Sequence, residues 1–205
     1  MKQIIFILSI LMLIISNSCT KYDNYEFYDY DNPPEKTFTD TRDGHTYKYI
    51  KIGNQYWMAE NLAYKPSSGN YWAYDNDENN VATYGYLYDW ETAYNVCPAG
   101  WHLPTDAEWQ ELIDYLGGDN IAGGKMKEIG TKHWRSPNTG ANNRSGFSAR
   151  PGGFRDNDDG TFYELGTNGN WWSDTNHYHT LDYGRVAVYD NYDESFGFSV
   201  RCVRD

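Results

Sequence analysis

The 205-residue chain carries a formal net charge of −12, so it would be repelled by a phosphate backbone or an anionic membrane surface, and nucleic acid is excluded as a partner. With 20 Tyr and 8 Trp, rings must build much of any core, and the same residues suit wet binding surfaces because each joins a stiff face to a polar tip. The length suits one domain better than two, and no internal repeat is present.

Lys2 precedes an apolar run over residues 4–15 that is too short to span a bilayer and leads into Ser16-Asn17-Ser18-Cys19. Residues 1–18 read as an export signal and Cys19 as the acylated first residue of a bacterial lipoprotein; cleavage nearby and an uncleaved anchor are the alternatives. Residues 19–36 are acidic and Tyr-rich, lack periodicity and contain Pro33-Pro34, which suits a flexible tether. The domain then occupies residues 37–205. Acidic residues soon after Cys19 point to the outer-membrane surface of a Gram-negative cell envelope, with the Cys19 lipid as the only membrane contact.

Tyr47, Tyr49, Ile50 and Ile52 suit a strand over residues 45–52, and Gly53-Asn54 is a two-residue turn into residues 55–58, so an N-terminal hairpin is expected. Residues 64–84 are polar and rich in Gly and Asn, as a long surface loop would be. Helical composition over residues 87–94 spaces Trp90 and Tyr94 four apart. At Thr105 a second helix begins, because its hydroxyl and the Glu108 carboxylate can form a capping box. Trp109, Leu112, Ile113 and Leu116 then make one apolar stripe, and Gly117-Gly118 follows where a left-handed cap is wanted. Residues 123–144 read as irregular. Residues 147–154 read as a strand kinked at Pro151-Gly152-Gly153, and short strands follow over residues 161–165, 170–173, 185–189 and 198–203. In the last of these Phe198, Val200 and Cys202 alternate with Ser199 and Arg201. The class is therefore α+β: a hairpin, two helices and an antiparallel sheet closed by the C-terminal strand.

If Cys19 carries lipid, Cys97 and Cys202 remain to pair with each other in an oxidising compartment; the alternative is a catalytic thiol, for which no His and acid arrangement is legible. Asp156, Asp158 and Asp159 before Gly160 offer oxygens to Ca²⁺, although Asn168 stands where an EF-hand would place its bidentate Glu. Acidic turns between strands are common without metal. Asp75, Asp77 and Glu78 are a weaker version. His177 and His179 would project to one side of an extended segment, with no third metal ligand to name, and His102 reads as a packed structural residue. Between residues 173 and 196, Asp174, Asn176, His177, Tyr178, His179, Asp182, Tyr183, Tyr189, Asp190, Asn191, Tyr192 and Asp193 crowd together. Codons for Asn, Asp, His and Tyr differ at the first base, as on a surface diversified from an adenine-rich template.

Cys97-Pro98-Ala99-Gly100-Trp101-His102-Leu103-Pro104-Thr105 and the ending Gly197-Phe198-Ser199-Val200-Arg201-Cys202-Val203-Arg204-Asp205 resemble the Fibrobacter succinogenes major paralogous domain. Ile52-Gly53-Asn54-Gln55-Tyr56-Trp57-Met58-Ala59-Glu60-Asn61-Leu62, Gly146-Phe147-Ser148-Ala149-Arg150-Pro151-Gly152-Gly153 and Trp171-Trp172-Ser173 agree with the same pattern. More distantly, Leu103-Pro104-Thr105-Asp106-Ala107-Glu108-Trp109 is similar to the helix start of formylglycine-generating enzymes, which implies a C-type-lectin-like fold. The paired thiols or histidine-rich iron site of those enzymes cannot be carried over, and neither can the calcium and sugar motifs of true C-type lectins.

The expected function is a non-catalytic, lipid-anchored envelope protein with no cofactor beyond possible Ca²⁺. It would present a lectin-like surface to an extracellular glycan or protein, with Trp171, Trp172, Tyr178, Tyr183, Tyr189 and Tyr192 as stacking faces and Asp174, Asn176, Asp182 and Asn191 as orienting groups. A structural or adhesion component, and the variable display protein of a diversity-generating retroelement, are the alternatives.

Overall fold

A computed structural model describes residues 36–192 and 195–205; the expected signal, the Cys19 lipid site, nearly all of the tether, and Asp193 lie outside the described residues. The chain opens with β1 (Lys36–Thr39), β2 (Thr46–Ile52), β3 (Gln55–Met58) and β4 (Tyr71–Trp72), followed by two single 3-10 turns, α1 (Val81–Tyr84), β5 (Leu87–Tyr88) and α2 (Trp90–Val96). β6 (Trp101–His102) leads into α3 (Asp106–Tyr115) and α4 (Asp119–Met126). The remainder is β7 (Phe154–Asp156), β8 (Phe162–Tyr163), β9 (Asn168–Trp172), β10 (His177–Asp182), β11 (Val188–Tyr192), β12 (Phe196–Ser199) and β13 (Val203–Arg204). Among the described residues this is a mixed α+β fold with four helices and two sheets, not a barrel, and no helix is long and apolar enough to cross a membrane.

The first sheet runs β1-β2-β3-β13-β6, so the last strand lies between the opening hairpin and the entrance to α3, with Val203 opposite both Trp57 and His102. The hairpin forms as expected, with Gly53 at φ 60 in its turn. The second sheet runs β11-β10-β9-β12-β5-β4, with β7 and β8 beside β12. It is mixed rather than antiparallel, because β12 and β9 pair in parallel.

The capping box at α3 is present in both directions: the Thr105 hydroxyl accepts from the Glu108 amide and Glu108 accepts from the Thr105 amide. At the other end Gly118 N–H donates to Ile113 O and Gly117 N–H to Asp114 O, the two bonds of a Schellman cap. Trp109, Leu112, Ile113 and Leu116 bury their stripe in one core with Trp57, Phe147, Trp171 and Leu181. A second core holds Tyr47, Tyr88, Trp172, Phe198 and Cys202. β9 separates the two cores, and since alternate residues face opposite ways, Trp171 enters one and Trp172 the other.

Several elements differ from expectation. The loop expected over residues 64–84 contains β4, the 3-10 turns and α1, and buries Tyr74 against Phe162. The helix expected from residue 87 starts only at Trp90, where Asp89 caps it by accepting from the Thr92 amide. α4 replaces the start of the irregular stretch. Residues 147–153 are not a strand; they touch their neighbours through single bridges at Ala149 and Gly153. The final run splits into β12 and β13 because Arg201 turns inward: it is 1% exposed, lies over Phe147, and donates to Asn61 Oδ1 at 2.8 Å and Ser148 O at 2.9 Å, and to Phe147 O. Burial pulls its pKa down to about 9. Cys97 and Cys202 form a disulfide, with Cα atoms 5.9 Å apart and Cys202 fully buried.

Candidate functional site

β10 and β11 form the outer pair of the second sheet, in a register that sets His177 opposite Tyr192, His179 opposite Asp190, and Leu181 opposite Val188. Period-two alternation divides the crowded residues between two faces. His177, His179, Asp190 and Tyr192 continue the face whose inner end, Leu181 and Val188, packs in the α3 core. Tyr178, Tyr189 and Asn191 lie on the opposite face. No single surface holds the whole expected set.

On the α3 face, His179 stacks on Trp109 with ring centroids 4.5 Å apart and is only 4% exposed. Both its ring nitrogens are buried without a hydrogen-bond partner, and burial pulls its pKa down to about 4. Further out, His177 Nδ1 lies 3.2 Å from Asp190 Oδ1, and the Tyr192 ring meets the imidazole edge-on at 5.6 Å. The first turn of α3 closes the rim from above: Asp106 accepts from the Thr175 hydroxyl, and the Asp174 amide donates to Pro104 O at 2.9 Å. Burial raises the Asp174 carboxyl, and the carboxylates of Asp106 and Glu108 push it the same way. For Asp106 burial acts upward too, but hydrogen bonds from Ser173 and Thr175 outweigh it and hold the pKa below the usual value. Asp106 was not among the residues the sequence singled out, although an acid in the first turn of a capped helix was visible there.

The opposite face is partly consumed by packing. Tyr178 lies 4.2 Å from the Phe198 ring and edge-on to Trp172, while Tyr189 and Asn191 are exposed and the Tyr189 hydroxyl accepts from Arg185 at 3.2 Å. Asp182 Oδ1 accepts from Gly184 N at 2.6 Å in the connecting turn, and Tyr183 is half-buried against the α3 core with Arg135 over its ring.

Trp171 and Trp172 correct the expected list. Both are 0% exposed, and their indole N–H groups donate inside the protein, to Asn61 Oδ1 and Tyr88 O. Neither offers a face to a ligand. Asn176 is also buried, at φ 64 in the turn before β10. Of the expected residues, Tyr189, Asn191 and Tyr192 remain on the surface, joined by Asp190.

The acidic turn does not gather its oxygens. Asp156 Oδ1 accepts from Asp158 N at 2.8 Å and Asp159 Oδ1 from Thr161 N at 2.7 Å, so both close local turns. Among the described residues no three His, Cys, Asp or Glu side chains are placed to hold a metal ion, which corrects the Asp156, Asp158 and Asp159 site. Glu78, in the weaker cluster, accepts instead from Tyr86 OH at 2.6 Å and Lys65 Nζ at 3.0 Å. His102 bridges Asp205 and Glu108, at 2.7 and 2.9 Å, and ties the C-terminus to the helix cap.

Residues 50–204 match a family model described as the Fibrobacter succinogenes major domain. No curated protein and no solved structure matches the chain.

Proposed function

The chain belongs to the Fibrobacter succinogenes major domain family, and from that premise we propose a non-catalytic, lipid-anchored envelope protein whose C-type-lectin-like domain presents the β11 rim to an extracellular glycan or protein. The run of four consecutive exposed residues on one edge strand, two of them rings, carries this reading. Trp57, Trp109, Trp134, Trp171 and Trp172 are all within 2% of complete burial, whereas Tyr189 and Tyr192 are 36% and 62% exposed on the two faces of one edge strand, with Asp190 and Asn191 exposed between them, so a ligand would grip that edge from both sides. Core packing needs none of these four side chains. Amphipathic rings interleaved with short polar groups suit recognition, because they offer contact area with few rotamers to freeze. Both cysteines among the described residues are held in the bridge, so neither is a free thiol for nucleophilic chemistry.

Binding of the full chain, held in detergent, to a glycan array and to a panel of extracellular proteins tests the rim. The double variant Tyr189→Ala, Tyr192→Ala is expected to lose the ligand that wild type retains; equal binding by both removes the rim from the proposal. The diversified-display reading gains from the same strand, since Tyr189, Asp190, Asn191 and Tyr192 all come from the interchangeable codon set. It predicts variation among sibling genes at those four positions and constancy at Trp171, Trp172 and His179, where burial forbids exchange.

A further inference from the structure

Away from the rim, a groove of about 290 Å³ lies between the segment that follows Leu62 and the outer side of α2. Tyr64, Pro66 and Val96 give it apolar wall, and Asn70, Glu91 and Asn95 give it polar edge. The wall is braced from behind. The Arg42 guanidinium lies 3.7 Å over the Tyr64 ring, while Arg42 itself is held by Asp40 at 2.6 Å and by Val96 O at 2.9 Å. Tyr88 OH donates to Tyr64 O at 2.7 Å. The floor is equally fixed: Asn70 N donates to Thr92 Oγ1 at 2.8 Å, Asn70 Nδ2 to Asp89 Oδ2 at 2.6 Å, and Thr92 N to Asp89 Oδ1 at 2.9 Å. A Cβ at Gly69 would stand 2.2 Å from Thr92 Oγ1, so glycine is what allows that segment to close onto the helix.

From this geometry we infer that the groove is a calcium-independent site for a neutral pyranose saccharide. A braced ring and a proline suit the flat C–H face of a sugar, and at its edge amides that give and take hydrogen bonds, with a carboxylate that takes them, suit the hydroxyls. No Lys, Arg or His lines the groove, and Asp89 and Glu91 do, so phosphate, uronate and sialate ligands are repelled. Asp89 and Glu91 are the two carboxylates of the lining, both Asp89 oxygens already accept from protein donors, and among the described residues no three His, Cys, Asp or Glu side chains converge to hold a cation between sugar and protein. Preorganisation matters here because it lowers the ordering cost that weakens small polar ligands. The site is independent of the rim.

Ligand-observed NMR on the full chain in a sugar-free detergent tests the assignment, using methyl glycosides of glucose, galactose, mannose and N-acetylglucosamine, with glucuronate and spermidine as charged probes. At least one neutral glycoside is expected to bind, equally well with EDTA, while glucuronate does not. Tyr64→Ala and Asn95→Ala are each expected to weaken it roughly five- to tenfold, the size of a lost ring or hydrogen-bond contact. Tyr189→Ala with Tyr192→Ala should leave it unchanged. If Tyr64→Ala does not fold, Asn95→Ala and Glu91→Gln, both on exposed side chains, carry the test. The inference is overturned if no neutral glycoside binds the native fold, if spermidine binds in their place, if EDTA abolishes binding, or if loss follows the rim variants instead of the groove variants.

Discussion

His179 shows how one side chain can set the acid limit of the fold. A free imidazole titrates near 6.5, and burial against Trp109 lowers the folded value to about 4. Between those two pH values the unfolded chain takes up a proton that the folded chain refuses. Stability is therefore complete above about pH 6.5 and falls as the medium is acidified towards 4, by at most about 3 kcal/mol for a shift of this size. Asp190 and Asp106 pull against the shift and His177 adds to it. Two neighbours shape the same curve. Burial lowers His102, but Asp205 and Glu108 overcome that and raise it, so its contribution is present in acid and lost as pH rises through its folded value; the ring is 38% exposed, and solvent screens the effect. Asp106 lies below the carboxylate range and gives up its contribution only in stronger acid. Urea midpoints measured from pH 7 to 4.5 should fall steeply for wild type and much less for His179→Phe. At pH 7 that variant should be at least as stable as wild type, because it removes two buried nitrogens that have no partner and keeps a ring on Trp109. Equal pH slopes in the two proteins would mean that His179 does not set the limit.

At the scale of elements, the two central helices divide what sequence can reveal from what it hides. α3 was legible because its signals are local: a capping pair three residues apart, a stripe at helical spacing and two glycines at the stop. Thr105→Ala should cost about 1 kcal/mol of unfolding free energy, the usual worth of an N-cap, read as a lowered urea midpoint. α4 was hidden because Gly123 and Gly124 argue against a helix by propensity. Their reason lies elsewhere in the chain. A Cβ on Gly123 would stand 2.6 Å from Ala187 O, and one on Gly124 would stand 2.8 Å from Gly140 O, so the glycines let α4 lie directly on neighbouring backbone. Propensity alone makes Gly123→Ala stabilising by about 1 kcal/mol, whereas this contact makes it destabilising by roughly 1 to 3 kcal/mol. A thermal melt decides the sign. The same distinction explains why Trp171 and Trp172 read as ligand contacts in the sequence. A strand buried on both faces has no polar alternation to mark it, and only the packing shows that Trp171 and Trp172 serve one core each. What could be read of the rim was its composition. Its division into two faces depended on the register of β10 with β11, which no local signal fixes.

For the whole molecule, two long-range closures hold the ends of the domain together, and they act on different states. Asn61 is the first. Its Oδ1 accepts from Trp171 Nε1 at 2.9 Å and Arg201 Nε at 2.8 Å, and its Nδ2 donates to Tyr84 O at 2.8 Å and Ser199 Oγ at 3.2 Å. That one amide joins the segment after β3, the end of α1, β9 and the link between β12 and β13 in the folded state alone. Asn61→Ala leaves a buried guanidinium N–H and an indole N–H unpaired and should cost roughly 3 to 5 kcal/mol. The disulfide is the second. Cys97 and Cys202 are 105 residues apart, and closing a loop of that length restricts the unfolded chain by about 4 to 5 kcal/mol in the loop-entropy account. Its removal should therefore lower stability by a similar amount while leaving the folded contacts of Val203 with Trp57 and His102 in place. Cys202 is fully buried and Cys97 only partly so; a reductant that attacks the Cys97 sulfur must release the Cys202 thiolate into the core, so reduction should require opening of the last strand. Equilibrium unfolding of wild type and the Cys97→Ala, Cys202→Ala double variant gives the size of the loss. Thiol labelling during incubation with dithiothreitol gives the access, and should stay slow until urea populates the open chain. Rapid labelling in buffer would place the bridge at a loose end rather than at the closure of the domain.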